Sequence, residues 1–445
     1  MNSLIKNIDE YPETNKIILL LFCGYVITWY LQIGSRIPAL GSIRFEFIYA
    51  AFLSVIVIAS PQKRLDLTCP ITKFVIAYFI CLIIQIPFSH NFIQSWYVFV
   101  NRIVKFAFMA FFIICFVKSP RDLVFFLCAF MLACMKMGQE GFIGQLTGSM
   151  VWQNQGVMRL HGTTSFYGHP NSFAGMALGT LPFVYYLFSI SPKYIKILLS
   201  VQLIFAINII IFSGSRTGYV GMIILILFIF IKSNKKKNLF IFGTIIIAFS
   251  FQFIPDQYVE RFDTILTQKD KQGQSINKRK QILEDGWEVF TAYPFGVGIS
   301  AFPYVRYNMF GRRQDTHNLY LEVATNLGIQ GLIIFFLLVF KMIKILKEIE
   351  EKCAYQRKLL QSNFLDKKIN DINISNVKSH LDDLALMQNT CTAVYVFIIM
   401  RLALGLFGMD LYEIYWWFAL GLIIAIYNMV KIAQEKTTEF VKQLT

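Results

Sequence analysis

Three residues of this chain combine useful side-chain chemistry with a restrictive setting: His317, Arg216 and Arg279. His317 stands in Asp315-Thr316-His317-Asn318, immediately before an apolar run. Histidine exchanges a proton more readily near neutral pH than any other side chain. If Asp315 or Thr316 caps a helix here, its first turn presents His317. Steps of three and four residues then reach Tyr320, Leu321, Ala324, Gly328 and Gly331 on one face. The two glycines remove bulk, so the pattern predicts a close helix–helix seam headed by the histidine. A capping or interfacial histidine is the alternative.

Arg216 follows the permissive turn Ser213-Gly214-Ser215 between two apolar runs. An arginine at mid-helix in a bilayer costs about 2.5–3.5 kcal/mol, which favours a functional reason for its presence. Snorkelling to the interface is the simpler account. Arg279 lies in Lys278-Arg279-Lys280, ahead of Ile282, Leu283, Trp287 and Phe290. On a helix Arg279 shares the face of Leu283, while Lys278 and Lys280 point away. Arginine also suits bidentate phosphate recognition better than lysine does. Weaker signals surround Arg159, His161, His169 and Asn171: two histidines eight apart with no third ligand make a poor metal site. Arg159 and Asn171 are candidate substrate contacts. Gly296-Val-Gly298 follows no βαβ pattern and is discounted as a phosphate loop.

The elements that carry these residues are apolar. Hydrophobic types make up 56% of the 445 residues and charged types only 16%, which argues against a soluble enzyme. The 44 Phe and 21 Tyr suit a bilayer and its interfaces. The net charge of +15 would by itself suggest nucleic acid, but the basic residues cluster between apolar runs, so nucleic acid is not an expected partner. The eight Cys show neither metal-ligand spacing nor a disulfide framework. Intrinsic disorder, zinc modules and collagen are excluded.

About twelve stretches reach the roughly 20 largely apolar residues of a membrane helix. They lie near Ile17–Ile33, Phe45–Ala59, Ile71–Phe88, Tyr97–Val117, Leu123–Met137 and Ser172–Ile190, then Tyr194–Phe212, Thr217–Ile231, Leu239–Ile254, Leu327–Ile345, Thr392–Phe407 and Ile414–Met429. No small-residue cleavage pattern follows the first, which therefore reads as a span. With the N-terminus inside, the pairs Lys63/Arg64, Lys118/Arg121, Lys193/Lys196 and the run Lys235–Lys237 share one side, as the positive-inside rule asks. The expected fold is all-α and integral to the membrane. Residues 1–16 form a cytoplasmic N-terminus, 17–254 spans 1–9 and 255–316 a large external loop. Residues 317–346 lead into span 10, 347–387 form a solvated helical connector on the cytoplasmic side, 388–430 spans 11–12, and 431–445 a cytoplasmic tail. Gly138–Pro170 is the other long external stretch. The basic residues of the large loop, Arg306 and Arg312 among them, ask what anion they serve.

His317-Asn318, nine residues, then Gly328-x-x-Gly331 resembles a signature of the O-antigen ligase family. Ser215-Arg216-Thr217-Gly218 is similar to that family's arginine at an outer helix start. Arg279 with Trp287 and Pro294-x-Gly296-x-Gly298 resembles the loop that supplies its second arginine. Leu332-Ile333 stand where the family usually has Thr-Trp, which leaves ligase and polymerase open. The resemblance spans about Arg159–Gly331 and implies a glycosyltransferase of the bacterial cytoplasmic membrane, with its site on the extracytoplasmic face. Its members use glycans on undecaprenyl diphosphate, without metal, nucleotide sugar or other cofactor. By resemblance, Arg216 and Arg279 hold the diphosphate and His317 deprotonates an acceptor saccharide, with Asn318 beside it as a further substrate contact. A transporter or lipid-linked oligosaccharide flippase is the rival; it would be expected to show repeated halves and interrupted helices with polar groups at mid-membrane.

Overall fold

The computed structural model describes residues 11–12, 14–60, 65–154, 157–232, 256, 258, 275–365 and 371–444. The expected span Leu239–Ile254 and residues 259–274 of the large loop lie outside the described residues. The protein is an all-α membrane protein. Its N-terminal part comprises α1 (Lys16–Leu31), the short α2 (Ile33–Arg36) and α3 (Pro38–Ser42), α4 (Phe45–Ala59) and α5 (Thr72–Gln85). There follow α6 (Phe92–Val98), a π-helical turn (Phe99–Val104), α7 (Lys105–Phe116) and α8 (Pro120–Thr147). The hairpin β1 (Val151–Asn154) and β2 (Val157–Leu160) leads to α9 (Pro170–Phe188), α10 (Lys193–Phe212) and α11 (Arg216–Lys232). Next come α12 (Ser275–Ala292), α13 (Phe302–Phe310), α14 (Leu319–Leu365), α15 (Asp371–Leu404) and α16 (Ile414–Leu444).

Among the described residues, six helices are long and apolar enough to cross a bilayer: Phe92–Phe116, Pro120–Thr147, Lys193–Phe212, Leu319–Ser362, Ser375–Leu404 and Ile414–Lys442. Helices α1, α4 and α5 are apolar but shorter. Where lipid is as apolar as the side chains, helices associate through close packing. Gly138 and Gly141 of α8 serve this: a Cβ on Gly138 would come within 2.8 Å of Phe205, and one on Gly141 within 2.9 Å of Phe173. This glycine face carries α8 on to Thr147, so the first ten residues of the expected external stretch Gly138–Pro170 are helix. At the centre, Phe130, Phe183 and Phe397 gather around Phe418 of α16, the closest pair with ring centroids 4.7 Å apart.

The described part of 347–387 is helical, as expected, but one face of it packs into the protein instead of meeting solvent all round. Helices α14 and α15 pack on each other and on α16, burying Leu360, Val377 and Leu384. A polar thread runs through this packing: His380 Nε2 lies 2.9 Å from Thr437 Oγ1, which donates to Gln356 Oε1 at 3.1 Å. The alternating acids and bases sit on the outer faces of helices whose inner faces are apolar, which a count of charges alone does not reveal.

Helix α14 breaks at Gly328, whose φ of 70° and ψ of −170° are non-helical. The loop from Pro294 to Gly298 crosses the break. Val297 N donates to Thr325 O at 2.8 Å, Gly298 N to Asn326 O at 3.0 Å, and Ile329 N to Pro294 O at 2.9 Å. Gln85 Nε2 of α5 binds Phe295 O at 2.6 Å and Leu327 O at 3.1 Å. A Cβ on Gly328 would stand 2.3 Å from the Phe295 carbonyl carbon, so only glycine fits. The sequence pattern predicted that Gly328 and Gly331 admit a neighbouring helix. The structure instead brings a loop against Gly328, and Gly331 faces Leu327 of its own helix.

Candidate functional site

The site forms where α14 begins. Asn318 is the cap: its Oδ1 accepts from Leu321 N at 3.0 Å, a role predicted for Asp315 or Thr316. Those two residues turn the chain before it, with Thr316 N donating to Asp315 Oδ1 at 2.9 Å and Thr316 Oγ1 to Asn318 O at 3.1 Å. The first turn is clamped to the end of α15 by Leu319 N on Gly405 O, 2.7 Å, and by the Tyr320 hydroxyl on Leu402 O, 2.7 Å. His317 lies outside the helix with φ of 48°, a left-handed conformation uncommon for a residue with a Cβ. It therefore does not head a helical seam; the backbone turn places it in the wall of a cavity of about 510 Å³.

That cavity lies among α6, the π-turn, the starts of α9, α11 and α14, and the loop between α15 and α16. Partial desolvation lowers the proton affinity of His317 below the ordinary histidine value; Asp315 opposes this, and the Arg279 and Arg306 charges add to it. A neutral imidazole at neutral pH can accept a proton. Asp315 is itself raised, chiefly by burial. His169 shares the cavity and caps α9, its Nδ1 accepting from Asn171 N at 3.2 Å. Desolvation also lowers its affinity, with the charges of Arg159 and His317 adding.

Arg216 opens α11, and the next two residues, Thr217 and Gly218, line the cavity. Arg279 on α12 is close enough to Arg216 and to His317 for its charge to act on both. The structure thus brings the three sequence-predicted residues into one electrostatic neighbourhood. Arg159 is placed differently. It is buried at 2% exposure, donating through Nε to Ser213 O at 2.8 Å and through its terminal nitrogen to Asn171 Oδ1 at 2.6 Å. It ties β2 to the start of α9 and to the turn that precedes Arg216. Asn171 does line the cavity; Asn318 turns its amide to Leu406 O, 3.3 Å away.

The face of α12 that docks is not the predicted one. Ile282, Asp285, Gly286 and Val289 are buried, while Leu283 and Trp287 are 46% and 62% exposed. Arg279 stands on the exposed side with them. Asp285 is the buried anion that Arg306 and Arg312 serve. Arg306 Nε donates to its Oδ2 at 2.8 Å, and Arg312 to Oδ1 at 2.6 Å and to Oδ2 at 3.1 Å.

Sequence reasoning missed the charges on another part of the cavity wall. Arg102 of the π-turn pairs with Glu413 at 2.8 Å, and Arg401 of α15 with Asp410 at 3.4 Å. Glu322 accepts from Leu411 N at 3.2 Å. Arg102 and Arg401 stand inside apolar runs, the same signal that singled out Arg216. Among the described residues, no three His, Cys, Asp or Glu gather in a metal-binding group.

Residues 201–336 match the family model described as O-antigen ligase. The matched segment contains Arg216, Arg279 and His317, whereas Arg102, Arg401, Asp410 and Glu413 fall outside it. No curated protein matches the chain.

Proposed function

We propose that this chain, with its membrane-length helices and the match of residues 201–336 to the O-antigen ligase model, is a bacterial membrane enzyme of that kind, which transfers a saccharide from undecaprenyl diphosphate to an acceptor hydroxyl. What supports this is His317 in the cavity wall, with Arg216 directly before the cavity-lining Thr217 and Gly218 and Arg279 close enough for its charge to act on His317. A sugar joined to diphosphate is already activated, so the protein has to position it and create a nucleophile. Neutral His317 takes the acceptor hydroxyl proton, and the oxygen attacks the anomeric carbon with inversion. The bond to the diphosphate oxygen breaks, and the lipid diphosphate leaves with the bonding electrons. Arg216 and Arg279 meet the charge that grows on it and stabilise it electrostatically. General-base help of this kind is worth about 10²–10⁴-fold. The reaction needs neither metal nor cofactor from the protein. Twelve spans, with the large loop and this cavity on the extracytoplasmic face, are the topology that lets a membrane-anchored donor reach it.

Transport has one observation in its favour, the interrupted helix at Gly328. Yet the carbonyls of Thr325, Asn326 and Leu327 at the break accept from Val297, Gly298 and Gln85, so they are already engaged by the protein itself. The test is the glycan profile of a deletion strain complemented with native protein or His317→Ala at matched expression. Chains collapsing to single repeat units identify a polymerase; full chains stranded on the lipid carrier identify a ligase. Full restoration by His317→Ala would remove the catalytic role of this histidine and move transport ahead.

A further inference from the structure

The cavity wall that carries Arg102 and Arg401 has no part in the chemistry above. Each arginine is paired with a carboxylate, Arg102 with Glu413 and Arg401 with Asp410. Asp315 and Glu322 line the same cavity and add two carboxylates. Four carboxylates against two guanidiniums make this a poor place for a diphosphate. Paired guanidinium and carboxylate groups are, however, suited to sugar hydroxyls, which donate and accept at once. Three features show that the wall is built. The π-turn, a device frequent at functional sites, carries Arg102. Arg401 is 2% exposed and its guanidinium lies 3.3 Å over the Tyr415 ring. Its Nε has no hydrogen-bond partner among the described residues, although Arg401 lines the cavity. A buried donor of this kind calls for an acceptor.

Resting on the glycosyl-transfer reading, the geometry points to this wall as the acceptor subsite: Arg102–Glu413 and Arg401–Asp410 hold an acceptor sugar by its hydroxyl or amino groups and disfavour a phosphorylated one. His317, in the same cavity, then has the acceptor on the carboxylate-rich side and the departing diphosphate near Arg216 and Arg279.

The test uses purified full-length protein in nanodiscs and two probes. One is the repeat-unit oligosaccharide released by mild acid from the host strain's own lipid-linked glycan; the other is inorganic pyrophosphate. Losing a hydrogen bond to a charged group weakens binding by roughly 10- to 100-fold. Glu413→Gln is therefore expected to weaken oligosaccharide binding by about that factor and leave pyrophosphate within twofold, with Arg279→Gln doing the reverse. Arg102→Lys, which keeps the charge and loses the fork, gives a smaller loss for the saccharide alone. Retained pyrophosphate binding doubles as the folding control. If Arg279→Gln weakens pyrophosphate but neither Glu413→Gln nor Arg102→Lys weakens the saccharide, the subsite is wrong and the glycosyl-transfer reading stands. Equal weakening of both probes by Glu413→Gln also overturns the subsite. Pyrophosphate binding indifferent to Arg279 would remove the reading on which it rests.

Discussion

Replacing Asp285 by Ala should loosen the packing of α12 and α13 far more than replacing the half-exposed Arg312. Asp285 and Arg306 side chains are 5% and 1% exposed, with N···O distances of 2.8 Å. Removing one partner of such a buried pair leaves an uncompensated charge and costs about 3–5 kcal/mol. Arg312 is different: its side chain is 39% exposed, so its pair with Asp285 belongs with surface ion pairs worth about 0–1 kcal/mol. The assay is hydrogen–deuterium exchange of full-length protein in nanodiscs, read on peptides from α12 and α13, the two helices that the Asp285–Arg306 pair joins. At about 1.4 kcal/mol per tenfold, Asp285→Ala should speed their exchange by roughly 10²–10⁴ and Arg312→Ala by less than about tenfold. Replacing Asp285 and Arg306 together by apolar residues of similar size should recover much of the loss. Equal, small effects of Asp285→Ala and Arg312→Ala would refute the argument that burial sets the size of the effect.

Further outcomes follow from the site geometry. The transfer rate should rise with pH and level off above the His317 pKa, which lies below the ordinary histidine value of about 6.5, since only the neutral form accepts a proton. Asp315→Asn removes the charge that raises this pKa, so the profile should shift to more acid pH; Arg279→Gln removes one that lowers it and should shift the residual rate the other way. Gly328→Ala must fit a Cβ 2.3 Å from Phe295 and hold φ near 70°. It should cost about 1–3 kcal/mol from the backbone conformation alone, visible as a lower unfolding temperature and as faster exchange at Pro294–Gly298.

Much of the fold was legible because a membrane helix announces itself by length and apolarity. The run Tyr194–Phe212 falls one residue inside α10, which is long enough to cross a bilayer, while Phe45–Ala59 coincides with α4, which is apolar but shorter. Arg216 was visible as a charge at an apolar boundary, and Arg102 and Arg401 were equally visible by that criterion. The packed face of α12 was not. An apolar stripe marks the buried face only when the other side meets water, and Leu283 and Trp287 are exposed apolar residues. Asp285 gave no local sign of burial, because its partners come 21 and 27 residues later in the chain. The break in α14 was hidden for another reason. A glycine that admits a neighbour and a glycine that reverses the backbone look identical in sequence, and Gly328 does both. Nor does His317 advertise its positive φ, which depends on the clamp between Leu319 and Gly405.

The crossing of Pro294–Gly298 over the broken helix has a consequence for how this site tolerates change. It acts as a surveyor's datum: α12 is measured from it in one direction, and His317 in the other. Chain length between these landmarks is therefore unequal in its effects. The turn at Gly311, with open space around it, can absorb extra residues without moving either. One residue added between Gly296 and Gly298 would shift the register of every hydrogen bond in the crossing and carry Arg279 away from the histidine. Variation among relatives of this chain should accordingly collect around the first position and spare the second.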